Sequence, residues 1–288
     1  MSALIKSPLN YTGGKSKILP QILPLFPVDI DTFVDLFAGG ANVGINVNAK
    51  QVVFNDNIKP LIDLYKTLQK NSVEKTLKYI ERKIIEFDLS EENVEGYHIL
   101  RQCYNEHNDP LLLFLLTAYS FNHQIRFNNA IQYNVPFGKH RSCFNDTMKN
   151  NLVAFMNKLH GIKAVFTAKN FDELDLDWLK DKDFLYADPP YLITTGTYND
   201  GKRGFTGWNE TQELMLLDLL DKLDRRGIRF ALSNVIKHKK TENKFLLDWL
   251  KRNPNYCIHN IVKDYTNSSY NVKNKDKEDT QEVLITNY

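Results

Sequence analysis

Apolar and polar positions along this chain follow two different periods, and the place where one gives way to the other divides the molecule. Short apolar runs bounded by turn-forming residues predict strands near 32–37, 51–55, 163–167, 183–187 and 229–233, with later strands near 257–264 and 282–287. Apolar residues at helical spacing predict helices over 15–26, 58–69 and 210–223, and Gly227 fits a stop after the last. Strand and helix alternate at both ends of the chain, which predicts a mostly parallel sheet with helices on its faces, an α/β fold. Between 71 and 160 the pattern changes to successive helices, including 94–105 and 111–122, followed by a polar, aromatic-rich stretch over 125–141. The expectation is a discontinuous core, 1–70 plus 161–288, interrupted between its second and third strands by a helical lobe at 71–160. The charged run 273–279 offers nothing to bury and is expected as an exposed loop.

Composition narrows the class. A chain of 288 residues suits one large domain with an inserted lobe, and 42% hydrophobic with 12% aromatic residues excludes a disordered protein. The longest apolar stretch, 110–119, is too short to cross a membrane. The first eight residues lack the pattern of a secretion signal, so a cytoplasmic location is expected. Cys103, Cys143 and Cys257 lie far apart with no histidine at ligand spacing, which speaks against disulfides and structural metal. A net charge of +2 does not by itself demand a nucleic-acid partner. Lys139-His140-Arg141, Lys202-Arg203 and Lys237-His238-Lys239-Lys240 lie near Phe127, Tyr133, Phe205 and Trp208, a mixture that suits phosphate contact and base stacking. Each cluster taken alone also fits ordinary solvated surface.

The chemistry concentrates at predicted strand ends. Asp188-Pro189-Pro190-Tyr191 follows the buried run 183–187, so a strand delivers it to the sheet edge, where open α/β sheets bind ligands. Two prolines remove two backbone donors and fix a rigid turn whose carbonyls sit beside a carboxylate and an aromatic face, which suits a planar amine. The bland alternative is a turn that ends a strand and buries its tyrosine. Phe33-Val-Asp35-Leu-Phe37-Ala-Gly39-Gly40 joins a strand to a glycine turn and an expected helix start near Ala41, whose amides favour an anionic group unless the glycines serve packing alone. Asp56 ends the next strand, where an acidic residue binds ribose hydroxyls or caps the helix that follows. Tyr11-Thr-Gly13-Gly14-Lys15-Ser16 lacks the full spacing of an ATP-binding phosphate loop, and a lysine that pairs with a cofactor carboxylate fits better.

Taken in order, these pieces resemble the DNA adenine-N6 methyltransferases of the alpha group, the Dam-like family that also serves restriction-modification systems. The resemblance runs over nearly the whole chain, through Asn134-Val-Pro-Phe-Gly138 to the closing Leu284-Ile-Thr-Asn287. It implies a Rossmann-like S-adenosylmethionine-dependent sheet whose cofactor pocket is lined by Lys15, Asp35, Phe37, Gly39, Asp56, Phe171 and Asp188, with Tyr11 beside it. Tyr11 stands where many relatives carry tryptophan, and Asp35 where many carry glutamate. The resemblance makes 71–160 the target-recognition lobe, with Asn122, Gln124, Arg126 and Lys139 meeting double-stranded DNA. Enzymes of the family specific for GATC tend to carry asparagine-glycine-leucine before the arginine, whereas this chain reads Phe121-Asn-His-Gln-Ile-Arg126.

The implied reaction rotates an adenine out of the duplex. Tyr191 stacks on it, while the Asp188 carboxylate and the Pro189 carbonyl accept its two N6 hydrogens. The stretch 192–209 is long for a loop and is expected either to close over the base or to stay disordered. One copy is expected to act alone on DNA, either beside a separate restriction endonuclease or as an orphan or phage enzyme. Rival readings are a methyltransferase acting on RNA or a protein amide, a non-catalytic DNA-binding regulator and a nucleotide hydrolase.

Overall fold

The computed structural model describes residues 3–11, 13–194, 208–262 and 280–288. The expected loops at 192–209 and 273–279, with Lys202, Arg203 and Phe205, fall wholly or largely outside these residues.

Strands β1 (Ile30–Asp35), β2 (Ala49–Asn55), β3 (Ala164–Thr167), β4 (Phe184–Ala187), β5 (Arg229–His238), β6 (Thr241–Glu242), β7 (Cys257–Ile261) and β8 (Thr280–Thr286) form one sheet. Its order is β3-β2-β1-β4-β5-β8-β7, and β6 pairs with the end of β5 as a short hairpin. The first five strands of that order run parallel, and β8 and β7 are antiparallel to their neighbours. This is the mostly parallel α/β sheet that the alternating pattern predicts, and the Rossmann-like architecture that the resemblance implies.

Period two decides what each strand residue packs against. Phe33, Phe184, Tyr186 and Leu284 join one buried cluster, while their chain neighbours Val34, Leu185, Ala187 and Ile285 join the other. The second cluster is closed by α7 (Glu210–Arg225) and α8 (Lys244–Arg252), which contribute Leu216, Leu220 and Trp249. The first takes α1 (Leu19–Ile22), α2 (Lys59–Lys70), α4 (Val94–His107), α5 (Pro110–Tyr119) and α6 (Asp146–His160). The intervening α3 (Val73–Glu86) is capped by the Ser72 hydroxyl, which accepts from the Lys75 amide. Residues 71–160 lie between β2 and β3 in chain order, and their apolar side chains are continuous with one face of the sheet.

Helix α5 is apolar all round and nine of its ten residues are buried, as a core helix must be. Truncating one of its leucines to alanine costs ~2–5 kcal/mol. Among the described residues no helix is long and apolar enough to cross a membrane.

Two expected helices are shorter than their apolar spacing suggests. The one over 15–26 reduces to α1 and a 3-10 turn at Leu23–Leu25, because Pro20 and Pro24 each remove a donor from the ladder. The one over 111–122 ends at Tyr119, where Ser120 turns extended and Asn122 takes a left-handed φ of 55°.

Candidate active site

Strand order reverses between β1 and β4, and at such a switch point the crevice outside the carboxyl ends of the strands is open to a ligand. Asp35 ends β1, Asp56 follows β2 and Asp188 follows β4, so three neighbouring strands deliver three carboxylates side by side. All three line one cavity of about 820 Å³. Tyr11, Lys15, Phe37, Gly39, Phe171, Pro189, Pro190, Tyr191, Gln124 and Arg126 line it as well. Asn122 and Lys139 do not; both are exposed on the lobe.

Side-chain to backbone bonds hold the floor of this cavity. The Asn55 amide donates to the Leu36 and Lys169 carbonyls at 3.0 Å each and accepts from the Thr167 hydroxyl at 2.8 Å, which ties the ends of three strands together. The expected helix start near Ala41 does not form. Gly39 and Ala41 both adopt left-handed φ, +46° and 58°, so residues 36–47 run as successive turns. Only glycine fits at 39, since a Cβ there would meet the Tyr11 ring at 2.8 Å. The amides of the turn point inward. Gly39 donates to Asp56 Oδ2 at 2.9 Å and Gly44 to Asp35 Oδ2 at 3.0 Å, while the Tyr65 hydroxyl donates to the Gly39 carbonyl at 2.7 Å. Asp56 also accepts from the Ile58 amide at 2.9 Å, but Ile58 is the N-cap of α2 and no side chain caps that helix, so Asp56 orders the turn ahead of α2 and faces the cavity.

Burial lifts the carboxyl groups. Asp35, only 1% exposed, is pushed up to about 7, with burial outweighing the Gly44 amide. Burial also raises Asp56 above the usual carboxylate range, against the amides of Ile58 and Gly39. Asp188 rises for the same first reason, opposed by the charge and hydrogen bond of Lys15.

Lys15 lies on Asp188. Its ammonium is 2.6 Å from Asp188 Oδ1 and 3.8 Å from Glu282 Oε1, and it sits 5.0 Å from the centre of the Tyr191 ring. The Tyr191 hydroxyl lies 3.1 Å from Asp188 Oδ1 and 3.0 Å from Glu282 Oε1. The Asp188-Pro-Pro-Tyr191 turn is therefore anchored from behind by the N-terminal segment and by β8.

Phe37, Phe171 and Trp208 form an aromatic wall with ring centres 5.5–5.6 Å apart. Trp208 is fixed by a bond from its indole N–H to buried Glu213 at 2.7 Å, and Glu213 also accepts from Asn234 and Asn243 at 3.0 and 2.8 Å. Sequence reasoning passed over Glu282 and Glu213 and took Trp208 only as a neighbour of basic residues. The available signal was a carboxylate in an otherwise apolar stretch, Glu282 before Val283-Leu-Ile285 and Glu213 before Leu214-Met-Leu216.

The residues expected at DNA divide. Arg126 donates from Nε to Asn134 Oδ1 and from Nη2 to the Asn134 carbonyl, both at 2.8 Å, so its guanidinium braces its own segment. The Tyr133 hydroxyl donates to the Gln124 carbonyl at 2.8 Å, and Tyr97 to that of Val135 at the same distance. The Asn122 carbonyl accepts from the Asn10 amide at 3.1 Å, which connects the lobe to the N-terminal segment.

The cavity suits an S-adenosyl cofactor on chemical grounds. A buried carboxyl suits an ammonium, a carboxylate at the end of β2 suits a ribose diol, and the aromatic wall suits a purine.

Comparison with known proteins gives the family. The chain is 50% identical over 287 residues to the type II methyltransferase M.FokI of Planomicrobium okeanokoites, covering 100% of this chain and 43% of that protein. It is 51% identical over 287 residues to the modification methylase StsI of Streptococcus sanguinis, covering 99% and 43%. It therefore spans less than half the length of either relative. The DNA adenine methylase of Escherichia coli is 26% identical over 230 residues, 78% of this chain and 79% of that one. The family model for the D12 class N6 adenine-specific DNA methyltransferases matches residues 11–284, and the chain belongs to that family.

Proposed function

We propose that this chain transfers a methyl group from S-adenosylmethionine to N6 of an adenine turned out of double-stranded DNA. The observation that carries the reading is that the Asp188-Pro-Pro-Tyr191 turn and Asp56 open onto the same cavity, so an amine site and a nucleoside site share one space. Asp56 would hold the ribose, Phe37, Phe171 and Trp208 the purine, and Asp35 the ammonium, with Tyr11 and Gly39 closing the side. S-adenosylmethionine, when bound, supplies an electrophilic methyl carried on a sulfonium.

The chain's own residues prepare the acceptor. An adenine inside a duplex is out of reach, and turning it out costs a few kcal/mol. The Tyr191 ring stacks on the extruded base and recovers part of that cost. Asp188 and the Pro189 carbonyl accept the two N6 hydrogens, which draws the amine toward tetrahedral geometry and frees its lone pair. Positioning of this kind supplies most of the acceleration. Asp188, raised by burial, is also a better proton acceptor than a solvated aspartate, so the proton released from N6 has a place to go before it reaches water.

Residues 71–160 serve as the target-recognition lobe, since Gln124 and Arg126, from its segment between α5 and α6, reach the wall of the catalytic cavity. One copy serves one strand, and the names of the relatives suit a role in modification beside a restriction endonuclease. The test is transfer of labelled methyl groups to unmethylated duplex DNA, with RNA and protein as parallel acceptors. Label recovered as N6-methyladenine from DNA is the expected result. Label found only in RNA or protein, or no transfer by an enzyme that binds the cofactor, overturns the reading.

A further inference from the structure

We propose that Glu282 is a positioning residue that takes over the Lys15 ammonium and the Tyr191 hydroxyl when Asp188 turns to the substrate amine. This rests on the methyl-transfer reading above.

Four side chains meet behind the turn. Lys15 lies between Asp188 and Glu282 at 2.6 and 3.8 Å, and the Tyr191 hydroxyl lies between the same two carboxylates at 3.1 and 3.0 Å. A phenol carries one proton, so Tyr191 donates to one carboxylate at a time. Lys15 has three N–H groups, one directed at Asp188 and one at the Gly13 carbonyl 3.3 Å away. Its side chain is only 4% exposed. If Asp188 gave its oxygens to an amine with no second acceptor present, a buried cation and a buried hydroxyl would lose their partner, which proteins avoid. Glu282 supplies the second acceptor.

Backbone geometry aims Glu282 at this task. It lies on β8 opposite Val235, where the register with β5 shifts between Val235 and Lys237. Bulges of this kind re-aim side chains beside active sites. Glu282 is itself 3% exposed and does not line the cavity, so it stands behind the reacting groups.

The groups that face Asp188 are Lys15 from the N-terminal segment, Glu282 from β8, Tyr191 from the turn, Tyr186 from β4, Asp35 from β1 and Tyr11. The charge of Glu282 raises the Asp188 carboxyl, and Lys15 lowers it. Removing the Glu282 charge therefore lets Asp188 ionise at lower pH.

The experiment is Glu282→Gln in the full chain, with kcat and KM on duplex DNA measured across pH. We expect kcat to fall about 10- to 100-fold with KM for DNA nearly unchanged, and the acid limb of kcat to move down by about one pH unit. Glu282→Asp keeps the charge and is expected to restore the position of the acid limb with part of the rate. A folded Glu282→Gln enzyme whose kcat is unchanged, or whose loss lies in KM and not in kcat, overturns the proposal, whereas the limb shift alone reports only that the Glu282 charge is felt at Asp188. Where Glu282→Gln does not fold, Glu282→Asp is combined with Tyr191→Phe. The two changes weaken one hand-over, so the double variant should lose less than the product of the single losses, and multiplicative losses overturn the proposal. Failure of the wild-type chain to methylate DNA at all is a separate result, visible before any variant is compared, and it removes both readings together.

Discussion

The cavity has two walls built on opposite principles. The wall at the carboxyl edge of the sheet takes Asp35, Asp56 and Asp188 from the ends of three adjacent strands and holds them with buried amides and a lysine. The wall contributed by the lobe, residues 120–138, is strung between α5 and α6 on two isolated bridges, Ser120 with Phe137 and Phe127 with Tyr133. It contains left-handed residues at Asn122, His123 and Ile131 and is stiffened mainly by its own side chains. On the proposed reading, catalysis needs fixed geometry and would be carried by strands, whereas recognition differs from one DNA site to the next and would be carried by turns that tolerate replacement.

The largest expected effect would break the first wall. Asp188→Ala removes the amine acceptor and should lower methyl transfer about 10³-fold or more, while cofactor affinity by calorimetry falls much less. Undiminished turnover would show that the carboxyl edge is not where the chemistry happens. Asp188→Asn separates the two contributions of the carboxylate, because it keeps an acceptor oxygen and removes the charge.

Next comes Asp56→Ala, which should act on both binding and folding. It leaves the Gly39 and Ile58 amides without their acceptor, so denaturant unfolding should report a loss of ~1–3 kcal/mol. Cofactor affinity should fall more than 10-fold, roughly the loss of a charged hydrogen-bond acceptor. A variant that loses stability but binds the cofactor normally would confine Asp56 to holding the Gly39 and Ile58 amides.

How much of this was legible in the sequence follows the same division. Short apolar runs ending in an acid point to Asp56 and Asp188 because each is local to its strand, whereas Asp35 enters only through the family resemblance. Glu282 was not legible. One carboxylate at the start of an apolar run looks like a strand end reaching solvent, and its partners Lys15 and Tyr191 are distant in sequence. The inward turn of residues 38–47 was hidden because helical spacing does not reveal that Gly39 and Ala41 are both left-handed. The stretch around Arg126 was read as facing DNA, yet its guanidinium closes on Asn134, eight residues later. Apolar periodicity carries no information about such a polar closure. At α1 the apolar spacing is helical over 15–26, but Pro20 and Pro24 break the ladder.

Asp35 gives a pH test of the rigid wall. Its carboxyl is raised to about 7 in the fold, against an ordinary value of about 4. Between those values the folded protein holds a proton that the unfolded chain has released, so this contribution to stability is complete below about pH 4 and is lost as pH rises through about 7. Thermal unfolding should show Tm falling from pH 5 to pH 8, and Asp35→Asn should make that slope shallower. An unchanged slope in the variant would mean that Asp35 stays ionised in the folded protein.

The smallest effects belong to the lobe and sharpen the comparison most. Lys139 is exposed beside the left-handed His140 and lies outside the cavity lining, and the proposed reading gives it phosphate and not base edges. Lys139→Ala should weaken DNA binding about equally for all sequences and lower the salt slope of the affinity by about one. Arg126→Ala removes the brace on Asn134 at the cavity wall and should instead relax the choice among related sites, with the salt slope nearly unchanged. Binding of cognate and single-mismatch duplexes at several salt concentrations measures both. If Lys139→Ala altered site preference while Arg126→Ala altered only the slope, the two residues would exchange roles, and the segment that closes on Asn134 would be a backbone clamp, not a reader of sequence.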